Sequence, residues 1–251
     1  MRFILGLSLL ITACLSLPPG FAAAHEQTGF TLNQFRIIYS AAETKGVTWS
    51  MTNKTDRAYL MQSWMRQIDA ETGLPAQETH NKASTTAIPF LVTPPLTRVD
   101  PGEALTLRIR LTELSLPADR ESAFYLSVKG IPAISDSSDQ GNGKVVIAVV
   151  NNIKLFYRPE GLPAGGVTQA ATQLRFSRHG DSLIVDNPTP FYINFSQLRV
   201  GGKPLSAEAL RRLLPPQGQL RYDLTAGMSG PVTWQVLDED SHATPEQRQS
   251  L

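Results

Sequence analysis

Four histidines, one cysteine and a short acidic run are the first places in this sequence to look for chemistry. His25, His80, His179 and His242 are scattered, and none has a partner at metal-ligand spacing. They read as exposed histidines. Cys14 is the only cysteine, which excludes a disulfide-stapled scaffold and a cysteine-built zinc site. Asp238, Glu239 and Asp240 read as a solvated end. There is no G-x-S-x-G, H-E-x-x-H, P-loop or G-x-G-x-x-G. A catalytic site would have to be assembled from distant residues with no local sign. The reading is therefore non-enzymatic, with no cofactor and no metal.

A different kind of chemistry is offered by the backbone from Lys144 to Leu155. Val145, Ile147 and Val149 fall on one face of an extended chain, and Val146, Ala148 and Val150 on the other. Such a run is either a buried central strand or an edge strand. An edge strand could pack its own core with one face and fill a partner's groove with the other. The pattern alone leaves both open.

Other elements must position that run. The chain has 251 residues, 41% hydrophobic and 18% charged, with 18 Gly and 18 Pro, enough for real cores. Its 23 Lys+Arg against 22 Asp+Glu give a net charge of +1, so no basic field recruits nucleic acid. Residues 1–24 read as an export signal. Arg2 is the positive n-region, Phe3 to Leu17 the apolar run, and Ala22-Ala23-Ala24 the cleavage site. The mature chain is expected to begin at His25. The apolar run is shorter than the roughly 20 residues a spanning helix needs, so no membrane insertion is expected. Ile11-Thr12-Ala13-Cys14 resembles a lipobox, which keeps a lipid-anchored alternative open.

After His25 the dominant pattern is period-two alternation. Val47, Trp49 and Met51 alternate with Thr48 and Ser50. Leu105, Leu107, Ile109 and Leu111 alternate with polar residues, as do Phe124, Leu126 and Val128. Leu183 with Val185, then Phe191, Ile193 and Phe195, then Val232, Trp234 and Val236 complete the series. Gly and Pro clusters separate them, and Ser206 to Leu214 is the one helix candidate, capped by Ser206. An all-β protein of antiparallel sandwiches is expected. The longest strand pattern ends at Tyr157, and a Pro/Gly-rich stretch from Pro159 to Gly166 follows. This divides the chain into 25–157 and 158–251. The tail from Asp238 to Leu251 is expected to fray.

Five ordered stretches carry a resemblance. Leu116 to Ala133 (LPADRESAFYLSVKGIPA) resembles the signature of the periplasmic pilus-assembly chaperones, departing at Ser127, where the family usually has Asn. Phe35-Arg36-Ile37-Ile38-Tyr39 resembles the family's first strand. Thr93-Pro94-Pro95 through Pro101-Gly102 and Lys154 to Pro159 fit two further motifs. Val185 to Tyr192 fits the N-P-T-P turn of the second domain.

The resemblance implies two immunoglobulin-like β-sandwich domains in an angled, boomerang arrangement around a cleft. It implies a periplasmic chaperone that binds pilus or fimbrial subunits by donor-strand complementation and delivers them to an outer-membrane usher. Val145, Ile147 and Val149 would be the donors, with the opposite face of the run packing the chaperone's own core. Arg36 and Lys154 would anchor the subunit's C-terminal carboxylate. Glu121 and Arg158 would belong to a structural interdomain salt bridge. Its third member would be an Asp late in the second domain, with which Asp223 does not align cleanly. Thr93-Pro94-Pro95 reads as a rigid edge device, because Pro donates nothing to a ladder. The nine-residue polar loop Ser135 to Gly143 resembles the short-loop class. Against this stands an exported two-domain β-sandwich adhesin, lipidated through Cys14. The sequence leaves open whether free molecules cap themselves as dimers.

Overall fold

The computed structural model describes residues 29–77, 88–113, 115–133 and 147–251. The signal segment, Cys14, Val145 and the loop Ser135 to Gly143 lie outside the described residues. Nine strands build the first half: β1 (Phe30–Leu32), β2 (Arg36–Ser40), β3 (Val47–Asn53), β4 (Tyr59–Gln67), β5 (Phe90–Thr93), β6 (Leu96–Val99), β7 (Ala104–Leu111), β8 (Ser122–Pro132) and β9 (Val149–Arg158). They form two sheets, β1-β3-β7-β5 and β2-β9-β8-β4-β6. The expected alternation is seen directly in β7. Leu105, Leu107 and Ile109 point into the core, and Thr106, Arg108 and Arg110 point to water.

Two chain segments cross between these sheets. Between Leu32 and Arg36 the chain leaves β3 and joins β9, so β1 and β2 belong to different sheets. The Trp49 indole donates to the Gln34 carbonyl at 2.9 Å and fixes this crossing. The second crossing is Thr93-Pro94, a cis peptide between β5 and β6. There the Pro95 carbonyl accepts from the Ser63 amide.

The second half contains α1 (Gly166–Ala171), β10 (Arg175–His179), β11 (Ser182–Asn187), β12 (Phe195–Val200), β13 (Lys203–Pro204), α2 (Ala207–Arg211), β14 (Gly218–Asp223), β15 (Val232–Val236) and β16 (Gln247–Gln249). Its sheets are β10-β11-β14 and β13-β12-β15-β16. Between them lies a separate core that includes Leu183, Ile193, Leu198, Leu214, Val232 and Trp234. The protein is thus an all-β pair of sandwiches with two short helices.

Several expectations change here. Phe191 and Ile193 are buried but precede β12, because Pro188 and Pro190 interrupt the ladder; Ile193 makes only a bridge to Leu214. The helix at Ser206 is shorter than expected. The Ser206 hydroxyl accepts from the Ala209 amide, but Arg212 is already extended. The tail is ordered rather than frayed. β16 pairs with β15, and the Thr244 hydroxyl, in a buried residue, accepts from the Val236 amide. The Gln249 side chain bonds both the amide and the carbonyl of Phe176 and so ties the two sheets together.

Candidate functional site

The run expected to donate a strand is an edge at its start. β9 pairs with β8 from Val149 to Tyr157, but with β2 only from Lys154 onward. The other edge of Val149–Ile153 has no strand beside it among the described residues. Ile147 is 72% exposed, Val149 50% and Val150 41%. The expectation that one face packs the protein's own core is therefore corrected for this stretch, since both faces of Ile147–Val150 meet solvent. Ile147 and Ala148 precede the ladder with β8, whose first rungs are Val149 opposite Gly130 and Val150 opposite Lys129. Core packing begins at Ile153 and continues at Leu155 and Tyr157.

Arg36 and Lys154, far apart in sequence, are direct partners in the parallel β2–β9 register. They sit where the open edge ends. The Arg36 guanidinium lies over the Phe156 ring, 4.9 Å from its centroid, and donates to the Leu237 carbonyl at 3.0 Å. The Lys154 ammonium donates to Asn194 Oδ1 at 2.6 Å. Neither cation has an ion-pair partner among the described residues. Burial, and then the charge of Arg36, lower the Lys154 ammonium to about 8. Burial also pulls Arg36 down, against the more distant carboxylates of Glu121, Glu239 and Asp238. Two adjacent cations with spare donors can hold one carboxylate by charge-assisted bonds.

Glu121 and Arg158 meet as expected. Arg158 donates to Glu121 Oε1 through Nε at 3.0 Å and Nη2 at 2.8 Å, and both side chains are almost fully buried. Glu121 Oε2 accepts from the Tyr192 amide at 2.9 Å, which joins the two halves. Burial pushes the Glu121 carboxyl up, against the pull of Arg158 and that amide. The further acid is Glu239, 2.9 Å from Arg158. Asp223 is exposed at the end of β14 and makes no ion pair among the described residues. The acidic run is therefore not simply solvated: its middle residue turns inward because Arg158 still has a donor free.

Three contributors escape the sequence reading: Asn194, the Leu237 carbonyl and Glu239. Asn194 lies just beyond the N-P-T-P turn, and that nearness is the one hint the sequence offers. A main-chain carbonyl leaves no trace in a sequence.

Comparison with known proteins gives consistent matches. Residues 29–163 match the family model described as pili and flagellar-assembly chaperone, PapD N-terminal domain. Residues 169–246 match pili assembly chaperone PapD, C-terminal domain. The chaperone protein FimB/FhaD of Bordetella pertussis is 35% identical over 97% of this chain and 95% of its own. A chain in the structure of the Salmonella enterica SafA pilin in complex with the SafB chaperone superposes with a TM-score of 0.73 at 28% identity, covering 91% of this chain and 99% of that one. The periplasmic chaperone SfaE superposes with a TM-score of 0.65 at 31% identity, covering 88% and 98%.

Proposed function

Since the chain belongs to the PapD family of pili-assembly chaperones, we propose that it is exported to the periplasm and caps pilus subunits there by lending them a strand. The carrying observation is that the open edge Val149–Ile153 runs without a break into the Arg36–Lys154 pair. An edge of unpaired backbone groups accepts a strand, and alternate side chains fill the guest's pockets. Ile147 and Val149, with Val145 before them, are the proposed donors. Each apolar side chain buried on binding contributes roughly 1.5–3 kcal/mol.

The same reading gives the guest a direction. A strand that pairs with Val149–Ile153 and ends with its carboxylate at Arg36 and Lys154 runs parallel to β9, taking the line that β2 occupies further on. Arg158 with Glu121 and Glu239 is assigned a structural role at the junction of the proposed domains 25–157 and 158–251. No catalysis or cofactor enters this reading, and hand-over to an outer-membrane usher is its proposed end point.

The test is capture from periplasmic extract, with the bound partner identified by mass spectrometry. Wild-type protein should retain a pilus subunit, and Arg36→Ala or Lys154→Ala should lose it while remaining folded. Recovery of the subunit at wild-type yield with either variant would end the anchoring role.

A further inference from the structure

Both cations at the end of the open edge are held by the second sandwich, and one residue there reaches both. The Asn194 side chain accepts from Lys154 through Oδ1 at 2.6 Å. Its backbone carbonyl accepts from the Leu237 amide at 2.9 Å, and the Leu237 carbonyl in turn accepts from Arg36 at 3.0 Å. Asn194 is 6% exposed. Its amide nitrogen donates to the carbonyls of Leu210 and Phe195 at 3.4 and 3.5 Å. The amide cannot be turned over, since that would set its N–H groups against an ammonium that only donates. Asn194 Oδ1 is thus aimed at Lys154 by the backbone of the second sandwich.

The choice of a neutral acceptor matters. A lysine is a mobile charge on a flexible stem, and an unheld one must be ordered each time it binds. A carboxylate in place of Asn194 would hold the ammonium but also neutralise it. An amide oxygen holds it, leaves its charge uncompensated, and occupies only one of its three protons. We propose that the Asn194 side chain is a positioning group for carboxylate recognition, pre-aiming Lys154, while its backbone carbonyl, which any residue there would supply, holds the Leu237 peptide that receives Arg36. This rests on the reading that the cation pair receives a chain end. It adds that the second sandwich builds half of the receptor, so carboxylate affinity depends on how the two halves are joined.

The experiment compares two synthetic strand peptides of alternating apolar and threonine residues, identical except for a free carboxylate or an amide at the C-terminus. Dissociation constants are measured for wild type, Asn194→Ala, Asn194→Asp, Lys154→Ala and the Lys154→Ala/Asn194→Ala double variant, with folding checked by thermal melts. Wild type should prefer the free carboxylate. Asn194→Ala should cut that preference about tenfold, the middle of the range for directly coupled side chains. Binding of the amide peptide should change less than about twofold, within the spread of uncoupled sites. Asn194→Asp should abolish the preference by supplying an internal carboxylate. In the Lys154→Ala background, Asn194→Ala should add nothing.

An undiminished preference in folded Asn194→Ala or Asn194→Asp overturns the proposal. So does an equal loss for both peptides, the mark of a merely structural residue. Should Asn194→Ala fail to fold, the near-isosteric Asn194→Asp decides the question in its place. If wild type itself shows no preference, carboxylate anchoring fails, and this proposal with it. If wild type discriminates and the variants do too, only the role of Asn194 falls.

Discussion

Raising the pH by about two units from neutrality should release a carboxylate-ended client while leaving the chaperone folded. The Lys154 ammonium is lowered from 10.5 to about 8, first by burial and then by Arg36. That difference corresponds to about 3 kcal/mol against the charged form. About nine-tenths of the molecules carry the charge near pH 7 and about one-tenth near pH 9, so affinity for a carboxylate that needs it falls about tenfold. Arg36 stays protonated across the whole window, because arginine does not titrate there. The effect on stability has the opposite sign. An unfolded lysine titrates at its ordinary value of 10.5, above the folded value of about 8. Between those limits the unfolded chain binds more protons, so this group favours folding increasingly as pH rises. Unfolding therefore cannot stand in for the expected release. Calorimetric titration of the free-carboxylate peptide in two buffers of different ionisation enthalpy measures both affinity and proton uptake. Uptake should rise to about 0.9 proton per complex near pH 9. Lys154→Arg should flatten both curves. Constant wild-type affinity across the window, or an equal fall in Lys154→Arg, would refute the reasoning.

Ile147→Asp should lower client affinity at least tenfold, or about 1.4 kcal/mol, yet leave the melting temperature of the free protein unchanged, because that side chain is 72% exposed. Glu239→Gln should destabilise the protein by about 1.5–3 kcal/mol in denaturant titration, the range for a hydrogen bond to a charged group, whereas Asp223→Asn should be silent. Glu121→Gln should cost more, up to about 3–5 kcal/mol, because it removes the more deeply buried of the two carboxylates that pair with Arg158. Removing 244–251 should lower the melting temperature clearly, since Thr244 and Gln249 satisfy backbone groups of β15 and β10.

The legible parts of the fold are the strands with one wet and one dry face. β3, β7 and β15 alternate cleanly, and each can be found from its side chains alone. β4 escapes notice because both of its faces are mixed: Leu60 and Trp64 share the outward face with Gln62 and Arg66, and Ser63 is buried between Met61 and Met65. Alternation cannot be seen when polar and apolar residues share each face. The tail misleads in the opposite way. Gln247 and Gln249 look like solvent-facing residues, but their order comes from pairing with β15, which is invisible in local sequence. At the site, Arg36, Lys154, Glu121 and Arg158 are reached through motif resemblance and not through any pattern of charge. Glu239 is missed because an acid's partner is decided by tertiary approach. The Lys144 to Leu155 run reads as a strand, but its two apolar faces suggest burial on one side. That burial is absent at Ile147–Val150, where the run precedes or only begins its ladder with β8.

An open β edge gives affinity with little discrimination, because every strand carries the same backbone groups. A slip of one residue would turn every apolar guest side chain to the wrong face. In the proposed complex two features would fix the register from opposite directions. β2 occupies the β9 edge from Lys154 onward, so an incoming parallel strand cannot slide past Arg36. Sliding the other way draws the guest's carboxylate off both cations and leaves Lys154 half-buried with only a neutral partner. The stop is steric and the grip electrostatic, and both act at one residue pair. In the proposed complex, correct pairing of the guest with Ile147 and Val149 would thus be decided where the guest chain ends, several residues from those side chains.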